Sequence, residues 1–197
     1  MNVELLFDLV SPYSYLAATQ LEGRLAPLGA TLTWTPVFLG GIFKALGTTM
    51  PIEVPAKARL MMADIMDWAE LYGVPLRLPR PFPVNTLLPL RVLTAAPDAL
   101  RGPLAQALFK AYWVEGHDVS KVDVVHACLR EVGVLASDAL VAQAATEPVK
   151  DALKATTEAA VKRGAFGVPT MFAGTRMFWG NDRIELLERY LRKTIHK

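Results

Sequence analysis

Apolar residues follow two rhythms along this chain: short strand-like runs at both ends and helical spacing between them. Val3-Glu4-Leu5-Leu6-Phe7-Asp8 reads as a short buried strand. It ends at Ser11-Pro12, where a helix is expected from Pro12 to Leu25. Proline suits the first helical turn because its missing N–H has no partner there anyway. Ser11 then occupies the capping position, where a side-chain oxygen meets free N–H groups. The helix should stop near Ala26-Pro27-Leu28-Gly29. Thr31-Leu32-Thr33-Trp34-Thr35-Pro36-Val37 alternates like a strand, so the first forty residues read β–α–β.

From Phe43 to about Lys162 the spacing is helical, broken by proline loops. Lys57–Tyr72 reads as a helix with Leu60, Met61, Ile65, Trp68 and Leu71 near one face, which makes Met61, Met62 and Trp68 core residues. The loop Val74–Pro83 follows, and further helices are expected at Thr86–Ala96, Gly102–Glu115, Lys121–Val132, Ser137–Gln143 and Glu147–Lys162. The tail returns to strands. Thr170–Ala173 and Arg176–Trp179 flank Gly174-Thr175 as a hairpin, and a last helix covers Ile184–Thr194, with Asp182 or Asn181 as its cap.

Composition narrows the picture. The 197 residues are 52% hydrophobic and 20% charged, enough for one domain with a sizeable insertion and a core that needs no staples. The formal net charge is +2 and the basic residues do not cluster, so no nucleic-acid partner is expected. No apolar run approaches a membrane span, and Met1-Asn2-Val3-Glu4 lacks the basic start of a secretion signal. The lone cysteine, Cys128, excludes an internal disulfide and a cysteine-based metal site; it reads as a small buried apolar residue. His117, His126 and His196 are scattered, without metal spacing, so no metal is expected. These features point to the cytoplasm.

Three short signals carry the candidate chemistry through their order: Ser11-Pro12-Tyr13-Ser14 after the first strand, Gly167-Val168-Pro169-Thr170 before the hairpin, and Gly180-Asn181-Asp182-Arg183 before the last helix. Each alone has a plain structural reading, as a helix cap, an ordinary trans turn and a second cap. Together with the segments Phe7–Leu16, Leu39–Lys44, Gly164–Thr170 and Trp179–Leu187, they resemble the thioredoxin-like fold of the disulfide oxidoreductase A (DsbA) type. Within that group the chain resembles 2-hydroxychromene-2-carboxylate isomerases and kappa-class glutathione transferases. The resemblance implies an α/β thioredoxin-like domain of residues 1–42 and 163–197, with an inserted helical domain of residues 43–162. Ser11 and Ser14 stand where redox members keep Cys-Pro-x-Cys, so disulfide exchange is excluded.

The resemblance implies that the Ser11 hydroxyl faces the sulfur of bound glutathione, at a helix start whose partial positive charge favours thiolate. Val168, exposed by a cis Pro169, would pair with the tripeptide backbone as a strand does. Trp179, Gly180, Asn181 and Asp182 would hold the γ-glutamyl end. A small aromatic carboxylate would lie against Phe43, Lys44, Thr48, Val84 and Asn85, with Lys44 pairing its charge. For Lys44 a solvated surface position is the competing reading, and for Asn85 a cap on the helix near Thr86. Where the family often reads Gly-Asn, this chain has Gly47-Thr48, which puts Thr48 in the asparagine's place. The implied activity is glutathione-dependent conversion of 2-hydroxychromene-2-carboxylate to trans-o-hydroxybenzylidenepyruvate in aromatic catabolism, by a homodimer. Two alternatives stand beside it: glutathione conjugation as in kappa-class transferases, and a non-catalytic thioredoxin-like binding module.

Overall fold

The computed structural model describes residues 1–195; His196 lies outside them. Strand β1 (Asn2–Phe7) leads through a turn into helix α1 (Pro12–Leu25), and β2 (Thr31–Pro36) follows. Then come α2 (Leu39–Leu46), α3 (Pro55–Tyr72), α4 (Leu87–Ala95), α5 (Asp98–Trp113), α6 (Val122–Glu131), α7 (Ser137–Ala144) and α8 (Glu147–Lys162). The hairpin β3 (Thr170–Ala173) and β4 (Arg176–Trp179) and the helix α9 (Ile184–Ile195) close the chain.

The strands form one sheet in the order β2-β1-β3-β4. β1 runs parallel to β2 (Leu5 opposite Trp34) and antiparallel to β3 (Leu6 opposite Thr170). Its near-continuous apolar run follows from burial on both faces. Val3, Leu5 and Phe7 join the larger core with Leu16 and Leu21 of α1 and Leu108 of α5, whereas Leu6 packs on the other side with Phe172, Ile42 of α2 and Ala160 of α8. α2 runs unbroken through positions 42 and 43, so the expected domain division falls inside a helix that packs on the sheet.

Three local expectations are corrected. Leu60 and Leu71 are not on the buried face of α3: both are over 70% exposed, while Ile65 and Ala69 are buried. They are about three turns apart and so share a stripe of their own, well over 100° around the axis from Ile65. α5 starts at Asp98 rather than Gly102 and carries Pro103 within it, so that proline does not mark the helix start. Asp182 does not cap the last helix; Gly180 holds the capping position of a short 3-10 turn (Asn181–Arg183), and the Asp182 carboxylate pairs with Arg183.

Candidate active site

The chain direction of β1 and β3 decides where the site lies. β1 ends and β3 begins at the same edge of the sheet, so the turn after Phe7 meets the loop before Thr170. Ser11 sits in that turn with extended backbone (φ −88°, ψ 117°), one residue before α1. Its Oγ accepts the Ser14 N–H at 3.1 Å and donates to the Val168 carbonyl at 3.3 Å. The turn is clamped from the helical block, because the Trp113 indole N–H donates to the Leu9 carbonyl at 2.9 Å. The Ser14 hydroxyl is buried and makes no hydrogen bond among the described residues.

The opposing loop is equally fixed. The Val168–Pro169 bond is cis, the Thr170 hydroxyl donates to the Gly167 carbonyl at 2.7 Å, and the Gly180 N–H donates to the Pro169 carbonyl at 3.0 Å. Among the described residues, the Val168 N–H has no acceptor. Gly167 is required by close approach: a Cβ there would stand 2.9 Å from the Trp179 indole nitrogen. Gly180 is required by its backbone, at φ +99°.

Between these loops, α2 and the first turns of α3 lies a cleft of ≈ 490 Å³. Ser11, Val168, Trp179 and Phe43 line it, together with Met50, Ile52, Leu60, Met61, Phe82 and Phe166. Polar character in this apolar lining comes from Ser11, Tyr13, Lys57 and Asp64. The Tyr13 hydroxyl donates to Asp64 Oδ2 at 2.7 Å. Burial first, then that carboxylate, pushes the phenol well above its usual range, so Tyr13 is a protonated donor at any ordinary pH.

Several expected site residues stand elsewhere. Lys44 follows Phe43 by one position, which turns it about 100° around α2; it lines a separate groove with Arg91 and Lys154. Thr48 is exposed beyond the end of α2, and neither it nor Val84 lines the cleft; Val84 packs against the larger core. Asn85 does not line the cleft; its Oδ1 accepts the Leu87 N–H at 3.0 Å from one residue outside the Thr86 capping position of α4. Pro169 does not line the cleft. Asn181 is buried, and its carbonyl accepts the Tyr72 hydroxyl at 3.1 Å, which ties the loop to α3. Asp182 is exposed, within electrostatic reach of Tyr13.

Lys57 and Asp64 were missed by sequence reasoning. The signal was present: Lys57, Leu60, Met61 and Asp64 have the i, i+3, i+4, i+7 spacing of one helical face. It was masked by reading the same face as core. Cys128 is buried, and burial raises its thiol to about 11, as expected of an inert apolar side chain.

Sheet order, the serine-headed helix and the cis-proline loop beside it define a thioredoxin-like protein without the redox cysteines. The chain belongs to the DSBA-like thioredoxin domain family, whose pattern matches residues 2–192. A 2-hydroxychromene-2-carboxylate isomerase of Sphingobium xenophagum is 31% identical over 192 residues, covering 96% of this chain and 97% of that one. Glutathione S-transferase kappa 1 of Rattus norvegicus is 32% identical over 200 residues, covering 94% and 88%. A solved 2-hydroxychromene-2-carboxylate isomerase superposes with a TM-score of 0.90 at 28% identity, covering 98% of this chain and 95% of that one.

Proposed function

We propose that this chain is a glutathione-dependent isomerase that converts 2-hydroxychromene-2-carboxylate to trans-o-hydroxybenzylidenepyruvate. The observation that carries the reading is the Ser11 hydroxyl within hydrogen-bond reach of the Val168 backbone, at the mouth of an apolar cleft, in a chain like the named isomerases along nearly its whole length. The residues present fit glutathione. Among the described residues the Val168 N–H lacks an acceptor, and the carbonyl of the same residue accepts the Ser11 hydroxyl, so both backbone groups of Val168 face the site as a peptide partner needs. Lys57 brings a cation to the cleft rim for a carboxylate.

When bound, glutathione supplies a thiol whose reversible addition to the conjugated alkene permits rotation about that bond. The chain's residues have the following parts. Ser11 donates to the sulfur and favours its ionised form, aided by the Tyr13 N–H and the partial positive charge at the start of α1. Serine does this without the option of a mixed disulfide. Phe43, Met61 and Phe82 offer apolar walls to an aromatic ring and exclude water. Tyr13, whose proton is held by Asp64, presents its hydroxyl oxygen as an acceptor to a substrate hydroxyl.

The test is turnover of 2-hydroxychromene-2-carboxylate by the purified chain with and without glutathione. Conversion that needs glutathione and leaves its concentration unchanged is expected. Full activity in its absence overturns the reading. Consumption of glutathione with a generic electrophile, without isomerisation, would favour the second reading, kappa-type conjugation, which the rat relative supports. A homodimer belongs to the same proposal. So does a cytoplasmic location, where glutathione is held as the thiol.

A further inference from the structure

Three residues before Ser11 stands a carboxylate with no solvent exposure, Asp8. Its Oδ1 accepts from the Val10 N–H at 3.1 Å and from the Thr86 hydroxyl at 2.8 Å. Its Oδ2 accepts from the Leu39 N–H at 2.8 Å. These donors come from three separate pieces of the fold. Val10 lies in the turn that carries Ser11, Leu39 opens α2, and Thr86 directly precedes α4. Val10 and Leu39 both line the cleft, so the carboxylate connects one wall to another. The Asp8 carbonyl adds a fourth tie, accepting the Ser11 N–H at 3.1 Å. Among the described residues no Lys, Arg or His pairs with this carboxylate. Its titratable neighbour is Tyr112, whose hydroxyl donates to the Pro81 carbonyl.

We propose that Asp8 is a positioning residue: its ionised carboxylate staples the Ser11 turn to the first turn of α2 and the head of α4, and thereby sets the spacing between the Ser11 hydroxyl and the Leu39–Phe43 wall. The proposal rests on Ser11 being the thiol-facing residue. A carboxylate suits the place because three donors converge on two oxygens. An amide would turn an N–H group toward at least one of them. Burial opposes the charge and the hydrogen bonds support it, a balance that leaves the group ionising at about 6 instead of 3.8. Below that pH a protonated oxygen faces a donor and the staple slackens.

The test uses the whole chain and a set of variants: Asp8→Asn, Thr86→Val and Thr86→Ser. Nuclear magnetic resonance follows the Asp8 carboxyl carbon and the amides of Val10, Ser11, Leu39 and Phe43 against pH. A common midpoint near 6 is expected in the wild type and in Thr86→Ser, which keeps the hydroxyl. In Thr86→Val that midpoint moves up by about one pH unit, the equivalent of one hydrogen bond to a charged group. A carboxyl that titrates while the Ser11 and Leu39 amides stay still overturns the proposal. Isomerase kcat/KM gives the second readout. Its acid limb should share these midpoints, and Asp8→Asn should lower it about ten- to hundredfold. If Asp8→Asn does not fold, the Thr86 pair decides: equal acid limbs in Thr86→Val and Thr86→Ser count against the staple. Wild-type inactivity with intact co-titration would sink the functional reading alone, and the resonance data would still support the staple.

Discussion

Replacing Ser11 by alanine removes one oxygen that caps α1, donates to the Val168 carbonyl at 3.3 Å and is the proposed partner of the sulfur. As a cap, Oγ accepts the Ser14 N–H at 3.1 Å; losing it costs about 1 kcal/mol. In a chain of this length that lowers Tm by about 2–4 °C. As the proposed donor to the glutathione sulfur, the same oxygen makes a charge-assisted hydrogen bond of about 1.5–3 kcal/mol. Its loss predicts a fall in kcat/KM of about ten- to 150-fold, and a rise in the bound thiol's pKa of about 1–2 units. Ser11→Asp separates the roles, because aspartate still caps a helix but sets a negative charge against the sulfur. Aspartate restores the cap but sets a buried carboxylate against the Val168 carbonyl, so it should recover only part of the lost Tm and remain as slow as alanine, or slower. The assays are thermal unfolding, thiolate absorbance of the glutathione complex against pH, and initial rates. A Ser11→Ala protein with lowered Tm but unchanged thiol titration and unchanged turnover would refute the reasoning and leave Ser11 as a cap alone.

Lys57→Met should raise KM for glutathione or for the aromatic carboxylate about tenfold or more, with little change in Tm, since Lys57 is exposed; steady-state kinetics with each substrate varied shows which carboxylate it meets. Gly167→Ala must displace the half-exposed Trp179 indole and should cost about 1–3 kcal/mol, read by urea unfolding and a changed tryptophan emission. Cys128, with burial raising its thiol to about 11 from 9.0, should alkylate about 100-fold more slowly at neutral pH than an exposed cysteine until the chain is unfolded. Asp8 ionises at about 6 in the folded chain and near 3.8 when unfolded, so between those values the folded state binds the extra proton and stability falls as pH rises. Relative to Asp8→Asn, the wild type should therefore lose about 2 kcal/mol between pH 4 and pH 7, measurable from urea midpoints.

Sequence reasoning reached the elements and the two loops that meet at Ser11, because both depend on local chemistry. A Ser-Pro before an apolar helix and a Val-Pro before a strand are short-range signals, and their adjacency follows once β1 and β3 are neighbours. It went wrong where the answer depends on rotation about a helix axis. Lys44 and Phe43 are adjacent in sequence yet open onto different grooves. Leu60 and Met61 read as core in the sequence but line the cleft with Lys57 and Asp64, since a partly apolar stripe looks the same whether it meets a protein interior or a cleft. Asp8 shows in the sequence only as the last residue of the first strand-like run. Its donors Leu39 and Thr86 lie 31 and 78 positions away, too far for any local pattern to announce them. For Asn85 the sequence leaves substrate contact and a cap both open, and its side chain bonds the Leu87 N–H at the head of α4.

The bond from the Trp113 indole to the Leu9 carbonyl bears on how such proteins can be rebuilt. The helical block is no detachable cassette: an indole at the end of α5 completes the turn that presents Ser11. Grafting another protein's insertion between α2 and α8 would leave a buried peptide carbonyl with no donor unless the graft brought an equivalent N–H to the same point. Chimeras that exchange substrate preference should therefore take α5 from the same parent as β1, and vary the stretch around Met50 to Asp64 instead.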